Sequence, residues 1–448
     1  MNSKMQLKLN LLKNKKHLVL FVAIICMLNV AHAQEVYDLN RCITNGLEQN
    51  FSIKVIRNQQ DIAKNNYTRG SAGMLPHISS VNQIGGTLNS INNESPTSAN
   101  GTHNTYASAG VDLGMTIFKG FFVQRTYQKL GQLSNLQGLT TQMSVENLVA
   151  KITSEYNYYI QQIAQYQTLA YAVMLSRERV RIDEQRYLLG SASKVELLQS
   201  KVYLNSDSSR YSKQNELIRS SQIRLNQLMA SENLGQHVIP ADSLIHINET
   251  LKYEDLLSQT LELNTALQIA TTNQEITETD YKLIASRAYP YLTFKTGYDY
   301  NYRGTQTGST TQNNTNGIVN YGLTLGVDLF DGFNRKREKT NALIELENKK
   351  LKYSEVEQAV KSDLLTIFYA YENNIRLLRL EEQNLEVARE NLEIALERYK
   401  LGSLSGLELR EVQKSLLDAE ERLISVKYLT KLAEISLLQI SGNIMDYL

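Results

Sequence analysis

The chain has 448 residues and carries 47 lysines and arginines against 46 aspartates and glutamates, a formal net charge of +1. This length suffices for two or three ordinary domains or for one very elongated domain. The nearly balanced charge excludes the strongly basic surface of a nucleic-acid-binding protein.

Residues 1–33 are predicted to be a secretory signal peptide. Five lysines precede the apolar core Leu18–Val30, and Ala31-His32-Ala33 forms a cleavage site before Gln34. The core is shorter than the ~20 residues of a membrane-spanning helix. The alternative is a lipoprotein signal that ends at Cys26. Without the five lysines, 42 of the 47 basic residues remain against 46 acidic ones, so the mature chain has a net charge of −4.

The sequence after the predicted signal peptide consists of two similar copies. Arg186–Leu197 (RYLLGSASKVEL) and Arg398–Leu409 (RYKLGSLSGLEL) are identical at eight of twelve positions, at an offset of 212. The same offset pairs Gly114–Phe121 with Gly326–Phe333. Self-similarity at a fixed period indicates a tandem repeat. We predict a first repeat over 34–231, a linker over 232–250, and a second repeat over 251–448.

Each repeat is predicted to contain a helix, a strand pair, a very long helix, a tight turn and a return helix. Pro76 and Pro290 are expected to end the first helix of each copy, because proline interrupts helices. The expected bounds are strand pairs at about 77–118 and 291–330, long helices at about 121–189 and 333–401, and return helices at about 193–231 and 405–441.

Alternation with a period of two predicts the strands. The apolar set of the second repeat is Leu292, Phe294, Thr296, Tyr298, Tyr300 and Tyr302, followed by Val319, Tyr321, Leu323, Leu325, Val327 and Leu329. In the first repeat the set is Ala107, Ala109, Val111, Leu113, Met115 and Ile117, and the segment from His77 to Ser90 alternates poorly.

These strands have the length of tilted membrane-crossing strands. Four strands are too few to close a membrane barrel, and an open sheet edge is not tolerated in lipid. Three chains are therefore expected to share a twelve-stranded barrel. The alternative is a water-soluble β-hairpin domain with one wet face.

The long segment Phe333–Leu401 contains neither glycine nor proline and would span ~100 Å as one helix. Its apolar stripe requires antiparallel neighbours and other subunits. Gly190 and Gly402 are expected to end the long helices in the left-handed conformation. The patterns Ser193-x-x-Glu196 and Ser405-x-x-Glu408 predict capping boxes that start the return helices.

The chain resembles the outer-membrane factor (TolC) family. The resemblance rests on the repeat, the Leu75-Pro76 and Tyr289-Pro290 steps into strands, the F-x-G-F exits and the paired R-Y-x-L-G-S turns. It implies a mainly α-helical homotrimer with a long helical tunnel and a shared barrel. It also implies outer-membrane lipid, a periplasmic adaptor (membrane fusion) protein and an inner-membrane pump of RND, ABC or MFS type as partners.

The resemblance further implies a periplasmic gate and docking turns. The gate positions correspond to Glu196, Glu408, Glu411 and Tyr399, and the adaptor-docking turns to Gly190, Ser191, Gly402 and Ser403. Leu404 stands where the family has an arginine that latches the gate. In a trimer, Glu408 and Glu411 would form a ring of six carboxylates that attracts cations and raises some of their pKa values by repulsion. The alternative role of Glu196 and Glu408 is helix capping alone.

Catalytic and metal-binding patterns are not found in the sequence. None of the four histidines after the signal has ligand spacing to another histidine or to Cys42. P-loop, dinucleotide-binding and nucleophile-elbow motifs are also lacking. We expect no enzyme activity, cofactor, metal or disulfide within the mature chain. The expected function is export of small molecules or polypeptides through the outer membrane of a Gram-negative bacterium; the alternative is an exported trimeric coiled-coil structural protein or adhesin.

Overall fold

The computed structural model describes residues 36–89, 102–307 and 309–447. The predicted signal peptide, with its alternative end at Cys26, lies outside these residues. The described chain is mainly helical. Its helices are α1 (Leu39–Gln49), α2 (Phe51–Asn66), α3 (Phe122–Leu188), α4 (Lys194–Leu228), α5 (Tyr253–Leu263), α6 (Thr265–Ser286), α7 (Asn334–Lys400) and α8 (Gly406–Ile440). The strands are β1 (Val36–Tyr37), β2 (His77–Asn89), β3 (Thr102–Lys119), β4 (Ile239–Pro240), β5 (Tyr291–Thr307) and β6 (Thr310–Gly326).

The helices α3 and α7 have 67 residues each, and α4 and α8 have 35 each. At 1.5 Å per residue, α3 and α7 each extend for ~100 Å. Gly131 does not interrupt α3, and a Cβ atom there would lie only 3.2 Å from the ring of Tyr67, so the glycine allows this ring to pack close to the helix. Within the described ranges, none of the helices carries an apolar stretch long enough to cross a bilayer.

Two compact units make up the chain. The first contains 145–258 and 364–448 together with the N-terminal part to Phe51. Its core joins α3, α7 and α8, because Leu175 packs in one buried cluster with Leu385, Leu392, Leu409 and Leu416. The short strands β1 and β4 pair in parallel and join the start of the described chain to the segment between α4 and α5. Next to β4, the carbonyl of Val238 accepts a hydrogen bond of 2.8 Å from the Tyr159 hydroxyl.

The second unit contains 52–144 and 259–363 and includes an antiparallel sheet of order β2-β3-β5-β6. Residues directly opposite each other in such a sheet lie on the same face. Val111 pairs with Tyr298, and Thr296 pairs with Tyr321. The register therefore places the apolar residues of β3 up to Met115, of β5, and of β6 up to Leu325 on one face, which confirms the predicted alternation over these residues.

The opposite face of the sheet is polar. Asp112 pairs with Gly297, and Gly110 pairs with Asp299. A Cβ atom at Gly110 would lie 2.2 Å from Oδ1 of Asp299, so the glycine makes room for the carboxylate. Asn320 donates a hydrogen bond of 2.8 Å to the other oxygen of Asp299. The polar side chains thus interlock across three strands.

Two predictions about the first helix of each repeat are wrong. The first helix of each repeat is two helices, broken at Asn50 and Asn264, since the side chain of Asn264 accepts a hydrogen bond from the backbone N–H of Leu267 and starts a new helix. These pairs end at Asn66 and Ser286, so Pro76 and Pro290 do not end them.

The last strand is shorter than predicted. It ends at Gly326, which pairs with Tyr291, the first residue of β5, so Val327 and Leu329 have no strand beside them. In β3 a bulge lies between Thr116 and Phe118, and Phe118 takes the position opposite Leu292 that the alternation assigns to Ile117.

Candidate functional site

The two turns that connect the long helices to the return helices have the same backbone geometry. Gly190 and Gly402 have φ of 75° and 76°, which confirms the predicted left-handed ends. The N–H of Ser191 donates to the carbonyl of Arg186 at 2.8 Å, and that of Ser403 donates to Arg398 at 2.9 Å. This closing bond is the Schellman motif, which pairs carbonyl groups left free at a helix end.

The return helices begin at serine caps. The Ser405 hydroxyl accepts from the N–H of Glu408 at 3.2 Å, and the Glu408 carboxylate accepts from the N–H of Ser405 at 2.9 Å. This is the predicted capping box. In the first repeat the Ser193 hydroxyl accepts from the N–H of Glu196, but the described structure has no bond from the Ser193 N–H to the Glu196 carboxylate, so the capping box predicted there is only half formed.

The hydrogen bonds to Ser405 hold the pKa of Glu408 below its ordinary value. The expected rise of some pKa values by repulsion concerns the ring of six carboxylates in a trimer, and it stays a prediction. The carboxylate is stabilised because it accepts backbone hydrogen bonds in its charged form. Glu196, Glu408 and Glu411 are all exposed.

Tyr399 has a different environment from these acids. It is buried, and its hydroxyl donates a hydrogen bond to Asp183 of α3. Burial, followed by this hydrogen bond to a carboxylate, raises the pKa of Tyr399 to about 12. Tyr399 is therefore a neutral donor that joins α7 to α3.

Arg179 lies beside this bond. Its Nε is 3.7 Å from Oδ2 of Asp183, and both side chains are almost fully buried. A Cβ atom at Gly406 would lie 2.8 Å from Nη2 of Arg179. The absence of a side chain at Gly406 therefore makes the notch in α8 that admits the guanidinium group.

A second buried ion pair joins α4 to α8. Arg410 donates to both oxygens of Asp207, at 2.8 and 2.9 Å, and Ser176 of α3 donates to the same carboxylate at 2.5 Å. Hydrogen bonding to Asp207 raises the pKa of Arg410. The guanidinium carbons of Arg410 and Arg179 lie 4.9 and 5.2 Å from the centre of the Tyr203 ring. Tyr203 thus contacts both cations of the cluster.

The cluster is not fully satisfied. Two guanidinium nitrogens of Arg179 and one oxygen of Asp183 are buried without a hydrogen-bond partner among the described residues. A buried polar group without a partner costs about 1–3 kcal/mol. The contact between the two helical hairpins, α3–α4 and α7–α8, is therefore less stable than a saturated network would be.

We call this cluster the hairpin lock and define it as Arg179, Asp183, Asp207, Tyr399 and Arg410. Of its members, only Tyr399 was predicted from the sequence. The offset of 212 contains the signal that would have found the two aspartates. Asp183 corresponds to Ala395, and Asp207 corresponds to Ala419. Both alanines are buried, so an acid at the corresponding position indicates a buried charge that needs a partner.

Large apolar side chains surround the two turns. The exposed fractions are 78% at Leu188, 82% at Leu189 and 73% at Val195, and 82% at Leu401 and 65% at Leu407. Such side chains next to Gly190, Ser191, Gly402 and Ser403 form an apolar surface rather than a polar helix end. Within the part of the chain that the structure describes, no three His, Cys, Asp or Glu side chains converge on a metal-sized site.

Comparisons with known proteins agree with this architecture. Residues 256–443 match the family described as outer membrane efflux protein (OEP). VceC from Vibrio cholerae is 16% identical, with a TM-score of 0.73 over 90% of this chain and 96% of VceC. The CmeC outer membrane channel of Campylobacter jejuni is 14% identical, with a TM-score of 0.73 over 90% and 85%.

The open state of the MtrE outer membrane channel of Neisseria gonorrhoeae is 14% identical, with a TM-score of 0.68 over 91% of this chain and 89% of MtrE. No curated protein matches the chain significantly. The resemblance to the family of outer-membrane efflux channels is thus confirmed, by the family match over the second repeat and by the fold over most of the chain.

Proposed function

We propose, on the premise that this chain is similar to outer membrane efflux proteins, that it is the outer-membrane channel of a tripartite efflux or type I secretion system. Three copies of a tandemly duplicated chain share a twelve-stranded barrel in the outer membrane of a Gram-negative bacterium. The chain is exported with a cleaved signal peptide. It conducts small molecules or polypeptides from the periplasm to the exterior.

The four-stranded sheet carries this proposal. Its outer strands, β2 and β6, each pair on one side among the described residues. The apolar face of β6 is open, with Tyr321 82% and Leu325 73% exposed. Apolar surface of this kind marks contact with lipid or protein. In the proposed trimer, lipid would cover the apolar face of the sheet, and strands of neighbouring copies would pair with the open edges of β2 and β6.

The turns support the proposed partners and gate. Exposed leucines beside Gly190, Ser191, Gly402 and Ser403 suit a periplasmic adaptor, which in turn connects the channel to an inner-membrane pump of RND, ABC or MFS type. The family has a gate-latching arginine at the position of Leu404. In this chain the hairpin lock would take over that role and keep the periplasmic end closed. Glu196, Glu408 and Glu411 would line the narrow mouth of the channel. Tyr399 would keep this end closed by holding the two hairpins together through its hydrogen bond to Asp183.

The test of the channel is single-channel recording of protein purified in detergent, together with its mass. We expect a trimer with steady conductance, since one chain cannot close the sheet. A water-soluble, monodisperse monomer would refute the proposal, and a water-soluble trimer without conductance would favour a structural coiled coil or adhesin.

The test of the gate is Glu408→Gln combined with Glu411→Gln. We expect weaker cation preference and loss of block by multivalent cations, because the proposed ring loses all six carboxylates. Glu386→Gln with Glu390→Gln, two exposed acids of α7, is the matched control. Equal selectivity in the wild type and the gate variant would sink the assignment.

A further inference from the structure

The two exits from strand to long helix share an unusual backbone. Gly120 and Phe121 have φ of 57° and 65°, and Gly332 and Phe333 have φ of 68° and 66°. The left-handed conformation is unfavourable for a bulky residue. The turn occurs in both copies, 212 residues apart, which indicates that it serves to direct the phenylalanine side chain.

The turn directs an aromatic pair away from the core. Phe118 and Phe121 form an edge-to-face pair at 5.4 Å, and Phe330 and Phe333 form one at 5.3 Å. Phe121 is 52% exposed, Phe333 70% and Phe330 73%. These pairs lie where the apolar strands end, the position at which aromatic side chains concentrate at a membrane boundary.

One helical turn further, each phenylalanine is followed by an arginine. The N–H of Arg125 donates to the carbonyl of Phe121 at 3.0 Å, and that of Arg337 donates to Phe333 at 3.1 Å. Residues four apart lie on the same side of a helix. Each copy therefore has an exposed aromatic ring at the end of the strands and an arginine at the first turn of the long helix. Arg337 is exposed and Arg125 is half-buried, and the exposed Lys336 adds a cation next to Arg337 in the chain.

These cations are unpaired, unlike their neighbours. Arg335 binds Asp331 at 2.9 Å and the carbonyl of Asp328 at 2.8 Å, and Lys129 binds Asp280 at 2.5 Å. Among the residues that the structure describes, no carboxylate lies within ion-pair distance of Arg125, Lys336 or Arg337. Their free charges are therefore available to a partner outside the chain.

Helix stability does not explain their position either. The first turn of α7 contains no acidic residue, and cations near a helix start are disfavoured by the helix dipole. Lys336 and Arg337 thus stand where the isolated helix is weakened by them. An external anion compensates this cost directly.

We propose that the two exits bind anionic glycerophospholipids of the leaflet next to the helices. The proposal rests on the proposed function, which embeds the sheet in a bilayer. Phe121 and Phe333 contact the acyl chains, and Arg125, Lys336 and Arg337 bind the headgroup phosphate. Guanidinium groups suit this role because they donate paired hydrogen bonds to phosphate oxygens.

The test is a titration of the purified trimer with phosphatidylglycerol and with phosphatidylcholine, followed by native mass spectrometry. We expect the wild type to prefer phosphatidylglycerol. Arg125→Gln, Lys336→Gln and Arg337→Gln combined should weaken that preference by at least about fivefold, the effect of one basic residue near an anionic surface. Arg125→Lys with Arg337→Lys should keep most of it.

The matched control is Lys213→Gln, Arg219→Gln and Arg376→Gln, which removes the same charges at exposed positions of the other unit. Equal loss in this control would overturn the proposal, as would displacement of phosphatidylglycerol by glycerol phosphate. A conducting trimer that binds both lipids equally refutes the lipid site alone. A water-soluble monomer refutes the proposed function as well.

Discussion

The ion pair between Asp207 and Arg410 allows a quantitative test of the hairpin lock. Asp207 is 1% exposed and accepts hydrogen bonds from Arg410 and from Ser176. Asp207→Asn keeps the shape of the side chain and removes its charge. The guanidinium group of Arg410, whose side chain is 13% exposed, then remains nearly buried without a counter-ion.

The expected cost follows from this burial. Removing one partner of a buried ion pair costs about 3–5 kcal/mol. Because Arg410 reaches some solvent, we expect the lower end, about 3 kcal/mol, or roughly a hundredfold in the equilibrium between joined and separated hairpins. Removing both partners, in Asp207→Asn with Arg410→Gln, should cost less than the single change, since no charge is left unpaired.

The matched control lies on the same two helices. Arg210 and Glu421 form an ion pair of 3.3 Å whose side chains are 45% and 47% exposed. Exposed pairs contribute about 0.2–1 kcal/mol. Glu421→Gln should therefore change the stability of the contact by less than about fivefold.

The assay is hydrogen exchange of peptides from the two turns, about 186–198 and 398–410, with single-channel conductance alongside. Asp207→Asn should lower amide protection there by roughly a hundredfold and raise the open fraction of the channel. If Asp207→Asn and Glu421→Gln lower protection equally, the reasoning from burial is refuted. If protection falls without a change in conductance, the pair joins the hairpins but does not control the gate.

Two further predictions concern the strand faces and the helix caps. Leu323→Arg, on the apolar face, should destabilise the membrane-inserted protein by about 2–4 kcal/mol, whereas Thr324→Arg, on the polar face, should cost far less; equal unfolding midpoints in lipid would contradict the assigned faces. Ser405→Ala should destabilise the start of α8 by about 1 kcal/mol. Because hydrogen bonds to Ser405 hold the pKa of Glu408 below its ordinary value in the folded state, its contribution is present above that ordinary value and is lost as pH falls through the folded pKa. Amide protection at that helix start should therefore fall on acidification in the wild type and stay flat in Glu408→Gln.

Local sequence determined the turns and the long helices of this protein. Glycine accepts φ near 75° without strain, and a serine with a glutamate three residues on pairs the free N–H groups of a helix start. These preferences act over a few residues, so the left-handed helix end at Gly402 and the helix start at Ser405 could be predicted from the local sequence alone. The strand faces were readable for the same reason, because alternation is a property of the strand itself.

Only the tertiary structure decided which copy of a repeated residue is buried. Tyr187 and Tyr399 occur in nearly the same sequence, yet Tyr187 is 40% exposed and Tyr399 only 1%. Tyr399 donates a hydrogen bond to Asp183, which lies 216 residues before it in the chain and directly beside it in the fold. Local preferences act alike on both copies, and it is the packing of one hairpin against the other that makes them different.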